Sequence, residues 1–281
     1  MEPTEVGSGA RRIPVRALDA RAQWVVCAVS ITSMNQACIA RASALCEATG
    51  ASMALVLCAI ERRNELDVDA AVALARLHDP KRVFVVFGAA DEAIEAVCRA
   101  VSSSIVLVAD GLLDGERARR LCAALALPVL VSRVPRSAVL VAATDLSRVS
   151  APVLRWSRAL NAVLRYTLVI AHNVERPLPL GSFEWSHIDV SEVEARQRHT
   201  LDAMVARDEL AARVSVSANF DTPDALVALT DSVEADVIAV GAKRSLLQWW
   251  PSRSVAARLV DECKCSVLLV PFEHEPHGEP A

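Results

Sequence analysis

Aromatic residues make up only 4% of this 281-residue chain, with a single tyrosine among them. The stacking platforms that grip single-stranded nucleic acid are therefore scarce. No stripe of positive charge compensates: lysine and arginine are scattered, and the formal net charge is −4. A nucleic-acid partner is disfavoured. Long hydrophobic runs are missing as well. Stretches such as Ile105–Ala109 fall far short of the roughly 18 residues of a membrane-spanning helix. The opening segment MEPTEVGSGARR is polar and has no apolar signal region, so the expectation is a cytoplasmic protein without a membrane partner. The eight cysteines follow no disulfide spacing, and Cys27, Cys46, Cys58 and Cys122 lie among apolar neighbours. They read as small core residues in a reducing compartment. Cys263 and Cys265 are one residue apart, which is not a usual zinc or redox spacing, so no metal is expected. No serine sits in a nucleophile elbow and no lysine follows a glycine-rich phosphate loop, so no catalysis is expected. An acidic cluster joined to a lysine near the last strand is also absent, which argues against a phosphoacceptor domain.

What the chain does contain is a repeat. VVCAVSITS (Val25–Ser33) is answered at a constant offset by VLVAATDLS (Val139–Ser147). Likewise SIVLVADG (Ser104–Gly111) is answered by DVIAVGAK (Asp236–Lys243), and PVLVS (Pro128–Ser132) by SVLLV (Ser266–Val270). A hydrophobic content of 53% over this length suits two domains with a large core. Within the second half, Val139–Ala143 is a short continuous apolar run, the mark of a strand covered on both faces. Val149, Val153, Trp156, Leu160 and Val163 then recur at helical spacing. Further strands are expected at Thr167–Val174, Val214–Ala218, Val237–Val240 and Ser266–Pro271, with helices around Asp189–Asp208 and Val255–Cys263. Thr222 is expected to cap another helix, with Pro223 at its first position. The first half repeats the order, with strands near 24–29, 52–58, 82–87, 104–109 and 128–132.

Alternating strands and helices imply parallel strands joined by right-handed crossovers. The expected fold class is α/β: two tandem open five-stranded parallel sheets flanked by helices. Domains are expected over 21–133 and 137–273, with disordered tails at 1–20 and 274–281. The short linker Arg133–Ser137 argues that the halves pack together.

In open sheets of this kind, ligands sit beyond the carboxyl ends of the strands, where the winding reverses. With strand order 3-2-1-4-5, that crevice lies between strands one and four, placing Thr144 and Asp145 opposite Gly241. A carboxylate there can accept hydrogen bonds from a ribose or an adenine amine. Gly241 lets the backbone approach closely, and a following helix offers its first N–H groups to an anion. Asp145 can equally serve as a helix cap or Asx-turn, and Gly241 as a plain turn. Val174, at the end of the second strand, completes this group. His172 reads as a satisfied structural histidine, and His187 and His199 as solvated. Trp249-Trp250-Pro251 can plug the crevice, fold back on itself or anchor a partner.

These segments together resemble the universal stress protein family: ATDLS ending strand one, LVIAHNV on strand two, and DVIAVGAKRS…SRSVAARLVDECKCSVLLVP. The second half matches over most of its length, and the first looks like a diverged copy. The resemblance implies an adenine-nucleotide alpha-hydrolase-like fold whose halves pair largely through the final strand. Many members bind ATP through a loop G-x2-G-x9-G-[ST], and another branch lacks it. Carried over by position, Asp145 holds the strand-one aspartate and Gly241 the first loop glycine. Arg244 and Arg253 stand where the second and third glycines belong, and Ser254 holds the hydroxyl position. The missing glycines matter because they free backbone amides to curl around phosphates. In the first half Ile31 replaces Asp145, Ala109 replaces Gly241, and the segment between Val108 and Leu121 is shorter than that between Val240 and Leu259. Asp110 and Asp114 put negative charge where phosphate needs positive. No cofactor is required on this reading, with ATP or AMP confined to the C-terminal half. The expected role is stress-response regulation through an unidentified protein partner, with a homo-oligomer expected and the two halves pairing within the chain.

If backbone shape is what the loop lacks, the double variant Arg244→Gly/Arg253→Gly binds ATP more tightly than the parent in a calorimetric titration. A loss of affinity would instead identify the arginines as phosphate ligands.

Overall fold

The computed structural model describes residues 24–59, 65–147, 150–175, 189–208, 210–243 and 254–272. Its first half comprises β1 (Trp24–Ser30), α1 (Gln36–Thr49), β2 (Ser52–Ala59), α2 (Glu65–Arg76), β3 (Arg82–Phe87), α3 (Ala90–Val101), β4 (Ser103–Ala109), α4 (Gly115–Leu125) and β5 (Val129–Ser132). The second repeats this order with β6 (Val139–Ala143), α5 (Ala151–Leu164), β7 (Thr167–Glu175), α6 (Val190–Arg207), β8 (Ala212–Asn219), α7 (Thr222–Ser232), β9 (Val237–Lys243), α8 (Val255–Glu262) and β10 (Ser266–Phe272). The central strands bury both faces: every residue from Val25 to Val29 is at zero exposure. That is why they read as unbroken apolar runs rather than as alternation.

Helix starts follow local chemistry. Asn35, Asp114, Asp189, Asp221 and Ser254 each accept a hydrogen bond from a first-turn N–H of the helix they precede. The cap of α7 is thus Asp221, not Thr222, and Pro223 stands second in the helix. The carboxylate of Asp221 takes the N–H of Asp224 at 3.0 Å, while the Thr222 hydroxyl accepts from the Asn173 amide.

Within each half the strand order is 3-2-1-4-5, as the alternating pattern predicts. The two sheets are not separate, however. They join edge to edge into one ten-stranded sheet, β3-β2-β1-β4-β5-β10-β9-β6-β7-β8. The seam is antiparallel, with Val131 opposite Val267, Leu130 opposite Leu268 and Val129 opposite Leu269. Over it α1 meets α5 on one face and α4 meets α8 on the other. The last pair crosses so closely that a Cβ on Gly115 would lie 2.0 Å from the Ala257 carbonyl oxygen. Only glycine fits there. Two apolar clusters, one on each face, both draw side chains from both halves.

One polar group crosses the seam without reaching water. Arg41 of α1 and Asp236 before β9 have side chains 4% and 0% exposed. Arg41 Nη2 donates to both Asp236 oxygens, at 2.9 and 2.8 Å, and Nη1 donates to Ser266 Oγ at 2.6 Å. The Tyr166 hydroxyl and the Arg136 N–H donate to the same carboxylate. Burial, and then that hydrogen bond to Asp236, push the Tyr166 phenol up to about 12. The repeat does not reproduce this group on the other side. With the caps of α1 and α5 matched, the counterpart of Arg41 is the buried Trp156, and Ser104, the counterpart of Asp236, donates to the Trp24 carbonyl. Arg133 adds a second tie, donating to the carbonyls of Cys265 and Val260.

Replacing Asp236 by alanine strands the Arg41 charge in the core and is expected to cost about 3–5 kcal/mol in denaturant unfolding. The double variant Arg41→Met/Asp236→Leu should recover most of that loss, because the desolvated charge leaves with its partner.

Candidate functional site

The crevice between β6 and β9 is set by register. Ala142 stands opposite Ala239, and Ala143 opposite Ala171. One step further out, Thr144 is level with Gly241 on one side and His172 on the other. Thr144 donates its N–H to the Ala171 carbonyl, accepts from the Leu146 N–H through its hydroxyl, and offers its carbonyl to His172 Nδ1 at 2.9 Å. A carbonyl only accepts, so His172 carries its proton on Nδ1. All three groups of Thr144 are engaged in holding the strand end.

Asp145 is engaged in the same way. Its Oδ1 accepts from the Ser147 N–H at 2.9 Å, the Ser147 hydroxyl at 2.6 Å and the Ser150 hydroxyl at 2.5 Å. This is the Asx-turn alternative, and it draws Ser150 away from capping α5. Partial burial by itself would push the pKa of this carboxyl up. The hydrogen bonds from Ser147 and Ser150 outweigh it and hold the group below the ordinary aspartate value. Among the described residues Oδ2 accepts no hydrogen bond, so half of the carboxylate still faces solvent. The turn holds Leu146 at φ 62, a left-handed conformation, with its side chain against the core.

The plain-turn alternative for Gly241 does not hold. The residue is not a turn after the strand, because β9 continues to Lys243, and its φ is not positive. Its missing side chain serves packing instead. A Cβ placed there would lie 2.9 Å from Phe272 Cε1 and 3.6 Å from Val153 Cγ2. The aromatic ring at the end of β10 thus lies over Gly241, on the side of the crevice lined by the first turn of α5. Val174 is half-buried on β7 opposite Ala218. Beside it Asn173 links Ser217 and Thr222 at 3.0 Å each. Ser254 accepts from the Ala257 N–H at 3.1 Å as the cap of α8. Register brings Thr144, Asp145 and Gly241 together at one rim. Arg244, Arg253, Trp249, Trp250 and His187 lie outside the described residues, as do the tails at 1–20 and 274–281.

Two residues of the rim escape a sequence reading. Phe272 follows an apolar strand and gives no sign of reaching across to Gly241. Lys243 is half-buried at the outer end of β9, and its ammonium makes no ion pair among the described residues. A basic residue two positions after the glycine was the available signal for it. The Lys243 carbonyl accepts from Arg119 of the first half at 3.5 Å.

The equivalent strand end of the first half carries no carboxylate: with the caps of α1 and α5 matched, Ser30 stands in the place of Asp145, its hydroxyl 2.8 Å from that of Thr32. Ile31 is 8% exposed and Ala109 1%, and both belong to the core. The negative charges expected there have structural uses. Asp114 caps α4 through the Arg117 N–H, and Asp110 pairs with Arg133 at 3.1 Å. All eight cysteines are free, with Cys263 and Cys265 buried. Among the described residues no cluster of His, Cys, Asp or Glu could hold a metal ion, and no helix is long and apolar enough to cross a membrane.

Residues 138–271 match the model of the Universal stress protein family. No curated protein matches the chain. Solved structures similar to it include a functionally unknown protein of Pseudomonas aeruginosa PAO1, with a TM-score of 0.66 and 14% identity over 90% of this chain and 93% of that one. A putative universal stress protein of Pseudomonas aeruginosa UCBPP-PA14 gives 0.64 and 13% over 90% and 94%. A universal stress protein of Archaeoglobus fulgidus DSM 4304 gives 0.60 and 10% over 90% and 98%. At these identities the likeness is one of fold, and it extends over both halves.

If the Phe272 ring is what fills the space over Gly241, Gly241→Ala should destabilise the chain by about 1–3 kcal/mol. In a Phe272→Ala background the same substitution should cost almost nothing. Additive effects in this double-mutant cycle, read by thermal unfolding, would show that the two residues do not share that space.

Proposed function

We infer, from the premise that residues 138–271 are a universal stress protein domain, that this chain is a cytoplasmic stress-response regulator acting through contacts with other proteins, without catalysis. On this reading the chain divides into a diverged unit over 21–133 and a second unit over 137–273. The first completes the pair and carries no ligand. The nucleotide site of the second is degenerate. The observation that supports this most is that the chain's own side chains occupy the rim: Phe272 covers Gly241, and the turn at Ser147 and Ser150 saturates Asp145 Oδ1. A nucleotide entering there must displace an aromatic ring and compete with three hydrogen bonds.

A second reading has its own support. Asp145 Oδ2 and the Lys243 ammonium are uncommitted among the described residues, one an acceptor and one a cation at the same rim. On that reading ATP or AMP binds once, in the C-terminal half. Thr144, Asp145 and Val174 would lie on the nucleoside side, and Gly241, Arg244, Arg253 and Ser254 on the phosphate side.

Calorimetric titration with ATP and magnesium separates the two, together with mass spectrometry of the gently purified protein. The first reading expects no retained nucleotide and binding no tighter than about 1 mM. Micromolar binding that is lost in Asp145→Ala would establish the second.

A further inference from the structure

The ten-stranded sheet has two edges, β3 and β8, and they are treated differently. Along β8 the polar residues Arg213, Ser215 and Ser217 alternate with apolar ones. The Ser217 hydroxyl is tied to Asn173, Arg198 of α6 reaches the Val214 carbonyl at 3.5 Å, and α6 packs on the strand. Along β3 the sequence is RVFVVF, with no charge after Arg82, no proline and no glycine. Its register with β2 runs unbroken from Ala54–Arg82 to Ala59–Phe87, so no bulge twists it away. Natural edges usually carry one of these devices, because an open row of backbone donors and acceptors is a template for another strand.

The direction of the open groups follows from one hydrogen bond. The Gly88 N–H donates to the Ala59 carbonyl at 3.0 Å, where Ala59 stands opposite Phe87. Residues of a strand in a parallel pair turn their backbone groups alternately to either side. Phe84 and Val86 therefore face β2, while the N–H and C=O of Val83 and Val85 face outward. Among the described residues no strand pairs with that side. Exposed apolar side chains gather at the same end of the sheet. Phe87 is 42% exposed, and on α2, which packs against β2 and β3, Leu74 is 44% and Leu77 78% exposed.

We propose that the β3 edge is the docking site for a second copy of this chain, paired antiparallel about a two-fold axis. The chain holds its own precedent in the β5–β10 seam, where antiparallel edges join and helices meet over each face. A β3–β3 seam repeats that arrangement, with α2 beside its symmetry mate and Leu74 and Leu77 covered. The charge pattern selects the direction: antiparallel pairing sets Arg82 of each copy toward Phe87 of the other, whereas parallel pairing brings the two arginines together. Such an isologous contact closes as a dimer. It goes beyond the reading of the crevice and requires no nucleotide, so either can fail without the other.

Light scattering on the full-length chain, eluted from a sizing column at loadings up to about 100 µM, should give the mass of two chains and fall toward one on dilution. Val85→Pro removes an outward N–H that β2 does not use, at a position where edge strands tolerate proline. It is expected to leave the circular dichroism unchanged and to give the mass of one chain. Should Val85→Pro fail to fold, Leu74→Glu/Leu77→Glu replaces it, since both side chains are exposed. A single-chain mass for the wild type at the highest loading overturns the proposal. So does a wild-type dimer in whichever of these variants folds.

Discussion

A guanidinium and a carboxylate that cannot reach water must find each other, and Arg41 and Asp236 do so across the seam between the two halves. That requirement organises much of what surrounds it. Ser266 and Tyr166 are placed to satisfy the remaining donors and acceptors, and the N–H of Arg136 is drawn onto the same carboxylate. Such a pair adds little net stability compared with an apolar replacement, yet it tolerates no other alignment of the two sheets. Slid by two positions, Val131 and Leu130 would still find Leu269 and Val270 opposite, and only Val129 would meet Pro271. The buried charge pair could not make that shift.

The seam also shapes the crevice. Joining β5 to β10 makes β10 an interior strand of the sheet, flanked by β9 on its other side, and the end of that strand is where Phe272 turns over Gly241. Across the seam, α4 of the first half lies against α8 of the second, and Arg119 from α4 reaches the carbonyl of Lys243 at the rim. The half whose strand end lacks the carboxylate thus helps hold the rim of the half that has it. The repeat is close to symmetric in its backbone and strongly asymmetric in its chemistry.

Much of the fold could be read along the chain. Strands buried on both faces have to be continuous apolar runs, so Val25–Val29 and Leu140–Ala143 announce themselves, and strict alternation with helices leaves few topologies to choose from. The candidate rim was partly legible for the same reason, since Thr144, Asp145 and Gly241 lie at strand ends in a known order. What those residues do was not legible. Asp145 as an Asx-turn and Asp145 as a ligand acceptor have the same local sequence, and the outcome depends on Ser150, which is brought near by the start of α5. Thr222 and Asp221 are both good caps. The choice between them was made by Asn173 of β7, which takes the threonine hydroxyl.

By itself, then, the sequence determined which segments are strands, how they alternate with helices, and that the second half repeats the order of the first. These depend on hydrophobic periodicity and local capping, which act over a few residues. Only the tertiary structure decided that two sheets become one, that Gly241 serves a ring and not a turn, and that Arg41 finds Asp236 across the seam while Trp156 fills the matching place in the other half. Each of those outcomes depends on atoms far apart in the chain meeting at van der Waals or hydrogen-bond distance, and such a meeting leaves no periodic trace in the order of residues.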